Sequence, residues 1–188
     1  ARTRELSTAV SRLRAEVVQQ QVRLRNRARE QLQRYYPQFL ELGDLETSWQ
    51  RQLWHRVPTP ADAQRVRPGT LAPLLRAQRV RRYRAAEVLR VLRQPSLVVA
   101  EGVVEGAVGR LQYLFAELNL QSEQHTRCDR QLATLLKERV AQERVGLAPG
   151  GLTGVELLRQ LPGFGTLVVA TLYAEAYAGL LARNLPLL

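Results

Sequence analysis

Leu161-Pro162-Gly163-Phe164-Gly165-Thr166 is the stretch whose residue types and spacing could do chemistry, with a short helical pattern on each side. Glycine tolerates positive φ and lets a backbone come close to a ligand. The first N–H groups of a helix have no partner within it. The N–H groups near Gly163, Gly165 and Thr166 are therefore expected to face outward as a phosphate site, with Phe164 turned into the core between the two helices. Such contacts would position a polyanion without reading its bases. Other reactive residue types are sparse. Cys128 is a lone cysteine, which excludes an intramolecular disulfide, and His55 and His125 lie too far apart for a zinc motif. No base or carboxylate is placed beside His125 or Cys128 as a catalytic pair would need. No catalytic residue and no metal ligand is assigned.

The basic residues carry more information. The 188 residues hold 28 basic side chains, all arginine except Lys137, against 17 acidic ones, for a net charge of +11. With 45% hydrophobic residues the chain can fold, so it is no disordered basic tail. The charge is concentrated. Residues 1–40 carry nine arginines against three glutamates, and residues 61–95 carry nine against Asp62 and Glu87, while the rest is slightly acidic. Charge gathered on particular faces is the footprint of nucleic-acid binding. The flanked Pro-Gly-Phe-Gly turn matches the helix-hairpin-helix motif of sequence-independent DNA binders.

The elements that must position these groups read as helices throughout, with no sustained alternation of the β type. An all-α fold is expected, built of long antiparallel or dimeric coiled-coil helices, short intervening helices and a C-terminal helix-hairpin-helix. Residues 1–43 read as one long basic amphipathic helix, its apolar stripe running from Leu6 to Phe39. Arg12, Arg23, Arg27 and Arg34 fall on one edge of that stripe, Arg14, Arg25 and Arg29 on the other. Residues 44–95 form a proline-punctuated, arginine-rich region in which each proline is expected to end or start a helix. There Trp49 and Trp54 do not share a face, and a helix from about 79 to 92 would place Arg79, Arg82, Arg90 and Arg93 together. Residues 96–145 form a long heptad helix with the seam Leu111, Leu114, Leu118, Gln121, His125, Cys128, Leu132 and Leu135. Its partner is expected to be the first helix folded back, a second copy of the chain, or both, and the near-neutral arm is expected to be free for pairing. Residues 146–154 are a Gly/Pro linker and residues 155–188 the hairpin region. The longest apolar run is far too short to span a bilayer, so no membrane partner is expected. The absence of methionine suggests an internal piece of a longer protein.

The order of these parts resembles a known family. The basic helix ends in Tyr35-Tyr36-Pro37. After it come Trp-His-Arg-Val-Pro-Thr-Pro from Trp54 to Pro60, an arginine-rich helix with Ala85-Ala86-Glu87, and the heptad helix. Leu161-Pro162-Gly163-Phe164-Gly165 follows, with Ala170 and Ala174-Glu175. Together they are similar to the central region of the insertion-sequence-110-type (DEDD) transposases, the bridge-RNA-guided DNA recombinases. The resemblance covers nearly all of the chain, most firmly Leu157 to Glu175.

It implies a RuvC-like domain with four metal-binding carboxylates before this region. It also implies a C-terminal transposase domain that begins near the hairpin and supplies a serine further on. Neither centre is represented here. Asp44, Asp62 and Asp129 lie in helical or linker contexts, and none of Ser48, Ser96 and Ser122 matches the serine motif. The piece is expected to be inactive alone and free of cofactors, with Mg belonging to the RuvC-like domain. The implied partners are DNA, a structured guide RNA and further copies of the chain, in the bacterial cytoplasm at the nucleoid. One departure stands out, since the family continues after Glu175 with a polar Gly-Asp turn and Ala176-Tyr177-Ala178-Gly179 reads as helix. The alternative readings are a structural coiled-coil adaptor and a stand-alone helix-hairpin-helix DNA-binding module.

Overall fold

A computed structural model of the chain describes residues 2–95, 98–148 and 150–176; the expectation for residues 177–179 lies outside them. The described residues are all-α, with no strand. They fall into two compact units, a central one of Gln20–Gln121 and a terminal one of Ala1–Gln19 with Ser122–Leu188. Two long helices contribute to both: α1, Arg2–Tyr35, and α6, Glu101–Arg144.

In the central unit α1 ends at Tyr35 because Pro37 follows, and the chain tightens into a 3-10 turn, Pro37–Leu42. Four short helices come next: α2 Ser48–Arg56, α3 Pro60–Arg65, α4 Pro68–Ala77 and α5 Ala85–Leu92. Pro60 and Pro68 occupy first helical positions, where a missing N–H costs nothing, and the Thr59 hydroxyl caps α3 by accepting the Asp62 N–H at 3.1 Å. Pro73 departs from the expected punctuation by lying inside α4. The carbonyl it leaves unpaired belongs to Gly69, which is exposed and can be hydrated.

The core of this unit joins the two long helices. Leu24, Ala28 and Leu32 of α1 share one buried cluster with Leu111, Leu114 and Leu118 of α6, and Gln20 donates to Glu117 at 3.1 Å. The heptad helix thus finds its partner in the first helix of its own chain. At the end of α1 the contacts become aromatic. Trp54 Nε1–H donates to the Tyr35 hydroxyl at 3.0 Å, and that hydroxyl donates to the Pro58 carbonyl at 2.9 Å. The Trp54 ring meets Phe115 edge-on at 5.1 Å. Burial raises the pKa of the Tyr35 hydroxyl, so it stays a neutral donor. Of the two tryptophans, Trp54 is fully buried and Trp49 packs partly exposed against the same core.

The expected helix over residues 79–92 is shorter. Arg79 has φ 53, a left-handed conformation that stops α4, and α5 begins only at Ala85. Arg79 and Arg82 therefore lie in a loop, off the face that Arg90 occupies.

The terminal unit is built on α7, Gly154–Arg159, and α8, Thr166–Glu175. Val155, Val169, Ala170 and Tyr173 bury themselves with Val10, Cys128, Leu132, Leu135 and Leu136, and the Thr8 hydroxyl donates to the Ala174 carbonyl at 2.7 Å. Leu6 and Leu13, expected in the apolar stripe, are 43% and 48% exposed. Helix α7 starts in a reciprocal cap: Thr153 Oγ1 accepts the Glu156 N–H at 3.2 Å, and Glu156 accepts the Thr153 N–H at 2.9 Å. Arg144 also binds Glu156. The Thr153 N–H first, and then Arg144, hold the Glu156 carboxylate at about 2, below its ordinary 4.5.

Two outcomes are expected. Tyr35→Phe leaves a buried indole N–H and a carbonyl unpaired, so it should cost about 1–3 kcal/mol in urea unfolding; no loss would remove this hydroxyl from the folding of the unit. For Glu156 the unfolded chain takes up a proton at higher pH than the folded one, so its contribution is complete above about 4.5 and lost as pH falls toward about 2. Protection factors of the α7 backbone amides, which remove the intrinsic pH dependence of exchange, should fall across that window in the wild type, whereas in Glu156→Gln they should already be lowered at neutral pH and should not change across it.

Candidate nucleic-acid interface

Helix α1 carries its arginines on two edges, and the structure uses them differently. On one edge, Arg25 pairs with Glu46 and Arg29 with Asp44 in the central unit, and Arg14 pairs with Asp129 in the terminal unit. On the other edge Arg23, Arg27 and Arg34 of the central unit are exposed, and no carboxylate among the described residues pairs with them. Arg12 of the terminal unit is in the same condition. Helical periodicity puts Arg23, Arg27 and Arg34 within one narrow arc of α1. They make a row of charged donors that form no ion pair with a carboxylate among the described residues, with the exposed Glu30 standing in the same arc.

The second basic region is divided as well. Arg90 on α5 is exposed and pairs with no carboxylate among the described residues, as is the case for Arg79 and Arg82 in the loop before it. Arg93 differs. At the C-cap of α5 its Nε donates to the Ala63 carbonyl at 2.9 Å and its Nη2 to the Val66 carbonyl at 2.7 Å, so its side chain ties α5 to the end of α3.

One arginine of structural weight was not singled out from the sequence. Arg51 on α2 is 5% exposed, and its guanidinium donates to Asn119 Oδ1 at 2.6 Å and to the Leu45 and Glu46 carbonyls at 3.3 Å. Burial lowers its pKa. Nothing in its local sequence separates it from the exposed arginines; only the position of α6 does.

The hairpin of the terminal unit forms the expected turn, but the Gly165 N–H, expected to face outward, donates back to the Gly163 carbonyl at 3.0 Å. Gly163 has φ 83, which only glycine takes freely, and Phe164 packs partly buried against the unit's core. Gly165 is the N-cap of α8, and no side chain caps that end. The first intrahelical bond of α8 runs from the Val169 N–H to the Gly165 carbonyl at 3.1 Å, leaving the N–H groups of Thr166, Leu167 and Val168 without intrahelical acceptors. A Cβ placed on Gly163 or Gly165 would meet nothing within 4 Å, so the approach to this end is open. The Thr166 hydroxyl, by contrast, accepts from Arg159.

The heptad seam is covered from within. Leu111, Leu114 and Leu118 are buried in the central unit, and Cys128, Leu132 and Leu135 in the terminal unit, all with their own chain. His125 is partly exposed and lies 3.8 Å from Asp129. The arm expected to be free for pairing is therefore not free at these leucines, because α1 and α8 supply the apolar surface that a second copy would have brought.

No group of three His, Cys, Asp or Glu side chains stands together among the described residues. Asp44, Asp62 and Asp129 are separately engaged by Arg29, Thr59 and Arg14. These carboxylates do not fit a two-metal centre, and no reaction step is derived through one. No described helix is long and apolar enough to cross a membrane.

A protein of Sinorhizobium fredii named "Putative transposase y4uE" is 45% identical over 83 residues, which are 44% of this chain and 23% of that protein. The chain is similar to a transposase. The match spans less than a quarter of that relative's length. No family model matches the chain, and no solved structure matches it.

The hairpin can be tested at its cap. Gly165→Ser supplies a hydroxyl acceptor for the free N–H groups of α8 and should stabilise the fold by a few tenths of a kcal/mol, about 0.3. It would also occupy the donors a phosphate needs, so thermal stability should rise while DNA affinity falls. Unchanged affinity would exclude this helix end as a phosphate site.

Proposed function

We propose that this chain is a nucleic-acid-holding segment of an insertion-sequence-110-type transposase. In this reading it acts at the bacterial nucleoid and grips DNA and a structured guide RNA through their phosphates while catalysis resides elsewhere. The observation that carries the proposal is the sorting of arginines on α1. One edge is neutralised by Glu46, Asp44 and Asp129, and the other, with Arg23, Arg27 and Arg34, is left exposed and unpaired. Similarity to a transposase supplies the context in which such a row meets nucleic acid. Arg79, Arg82 and Arg90 in the central unit and Arg12 in the terminal unit are further exposed arginines, and the open N-terminus of α8 offers neutral donors. None of these groups reads a base edge, which fits an assembly whose sequence choice is delegated to a guide RNA.

The alternative is a structural coiled-coil adaptor. It is favoured by the buried seam, since the leucines that would recruit a second copy already hold α1 to α6. On this reading the exposed arginines bind nothing.

Salt dependence separates the two. Binding of duplex DNA and of structured RNA should weaken steeply with salt, as counterion release requires. Replacing Arg23, Arg27 and Arg34 together by glutamine should reduce the slope of log K against log salt by about 2.7 for duplex DNA, at about 0.9 per phosphate contact. The triple variant should keep its thermal stability, because no partner is orphaned. A wild-type chain that binds neither polymer at low salt would leave the adaptor reading standing.

A further inference from the structure

We propose that the loop of residues 79–84, with Trp49, is a binding site for an unpaired nucleotide. The base stacks on the outer plane of the Arg82 guanidinium, and the flanking phosphates lie on Arg79, Arg81 and Arg84. This deepens the nucleic-acid reading above and rests on it.

The loop is anchored at its start. The Arg79 N–H donates to the Arg76 carbonyl at 3.0 Å and the Val80 N–H to the Leu75 carbonyl at 2.9 Å, closing the end of α4 in a Schellman turn. Val80 and Tyr83 pack against the core of the central unit, so the backbone between them is held at both ends. The turn puts its left-handed residue at Arg79, φ 53, where glycine would sit without strain. A long cation kept at such a position is an observation from which function can be inferred.

Three planar groups then follow one another outward. The Trp49 and Tyr83 rings are 6.0 Å apart, tilted by 45°, and the Arg82 guanidinium lies 5.2 Å from the Tyr83 centroid. Arg82 is exposed while Trp49 and Tyr83 are partly buried, which makes the guanidinium the outermost layer. A guanidinium held over an aromatic ring is pre-ordered, and its free plane accepts a nucleobase by stacking and cation–π attraction. Arg79, Arg81 and Arg84 lie on the same loop, all exposed, and none is paired with a carboxylate among the described residues. The nearest acid in sequence, Glu87, accepts the Arg84 backbone N–H at 2.8 Å. A duplex keeps its base faces inside its own stack and cannot use this platform. The ligand is therefore an unpaired nucleotide, in a loop or a single strand of RNA or DNA.

The test compares full-length chain binding to three single strands of equal length: oligouridine, oligothymidine and a base-free sugar-phosphate strand. One stacked base should make the base-bearing strands bind roughly five- to 150-fold tighter than the base-free one. Tyr83→Leu combined with Arg82→Lys keeps the charge and an apolar anchor but removes both planes. It should abolish that preference and leave affinity for the base-free strand unchanged. Arg82→Lys alone, at an exposed position, should reduce the preference and decides the matter if the double variant does not fold. A preference for oligouridine or for oligothymidine names the source of the nucleotide. Equal binding of base-bearing and base-free strands, or a preference that survives both variants, overturns the site while leaving phosphate binding intact. Absence of binding to every strand at low salt overturns the parent reading instead.

Discussion

The central unit depends on one hydroxyl. Tyr35 stands on the last turn of α1, accepts from the indole of α2 and donates to the carbonyl of Pro58 before α3. The same indole presses edge-on against Phe115 of α6. Three helices and a connecting segment thus meet where every polar atom of the Tyr35–Trp54 pair has a partner, which is the condition for a buried polar group to favour folding. The proline after Tyr36 reinforces it by stopping α1 there. The short helices that carry exposed arginines are placed by this junction.

Around it the chain is short of negative charge, and where the few carboxylates go decides what the surface can do. Asp44 and Glu46 lie just beyond the 3-10 turn and reach one edge of α1, and Asp129 reaches the same edge in the terminal unit. The opposite edge holds Glu5, Glu16 and Glu30 among its arginines, and no ion pair among the described residues joins them. Surface ion pairs of this kind add little stability, so their larger effect is to silence particular cations and leave others active. Arginine suits both uses, being planar, always charged and able to stack.

Much of the architecture was legible in the sequence because it rests on periodicity. The stripe from Val10 to Tyr35, the seam from Leu111 to Leu135 and the Pro-Gly-Phe-Gly hairpin all have local signatures strong enough to survive folding. What was not legible depends on single backbone conformations and on distant neighbours. Arg79 gives no sign in its residue type that it will take a left-handed φ, so residues 79–92 read as one helix and the loop's cluster of Arg82, Tyr83 and Trp49 was invisible. Pro73 reads as a boundary, yet α4 continues through it, the Gly69 carbonyl that loses its partner being exposed to solvent. Arg93 reads as part of an arginine face, and Arg51 stands out in no way. Whether an arginine turns inward to carbonyls or outward to solvent is decided by elements many residues away, here α6 and α3.

The covering of the seam by α1 has a kinetic meaning. Two copies could share the buried leucines of α6 only if each gave its α1 to the other, an exchange of identical elements. Such a pair would have no new interface to dissociate through and would separate only by opening the core at Tyr35 and Trp54. Its abundance would record how the protein was folded and at what concentration, and dilution afterwards would change it only on the timescale of unfolding.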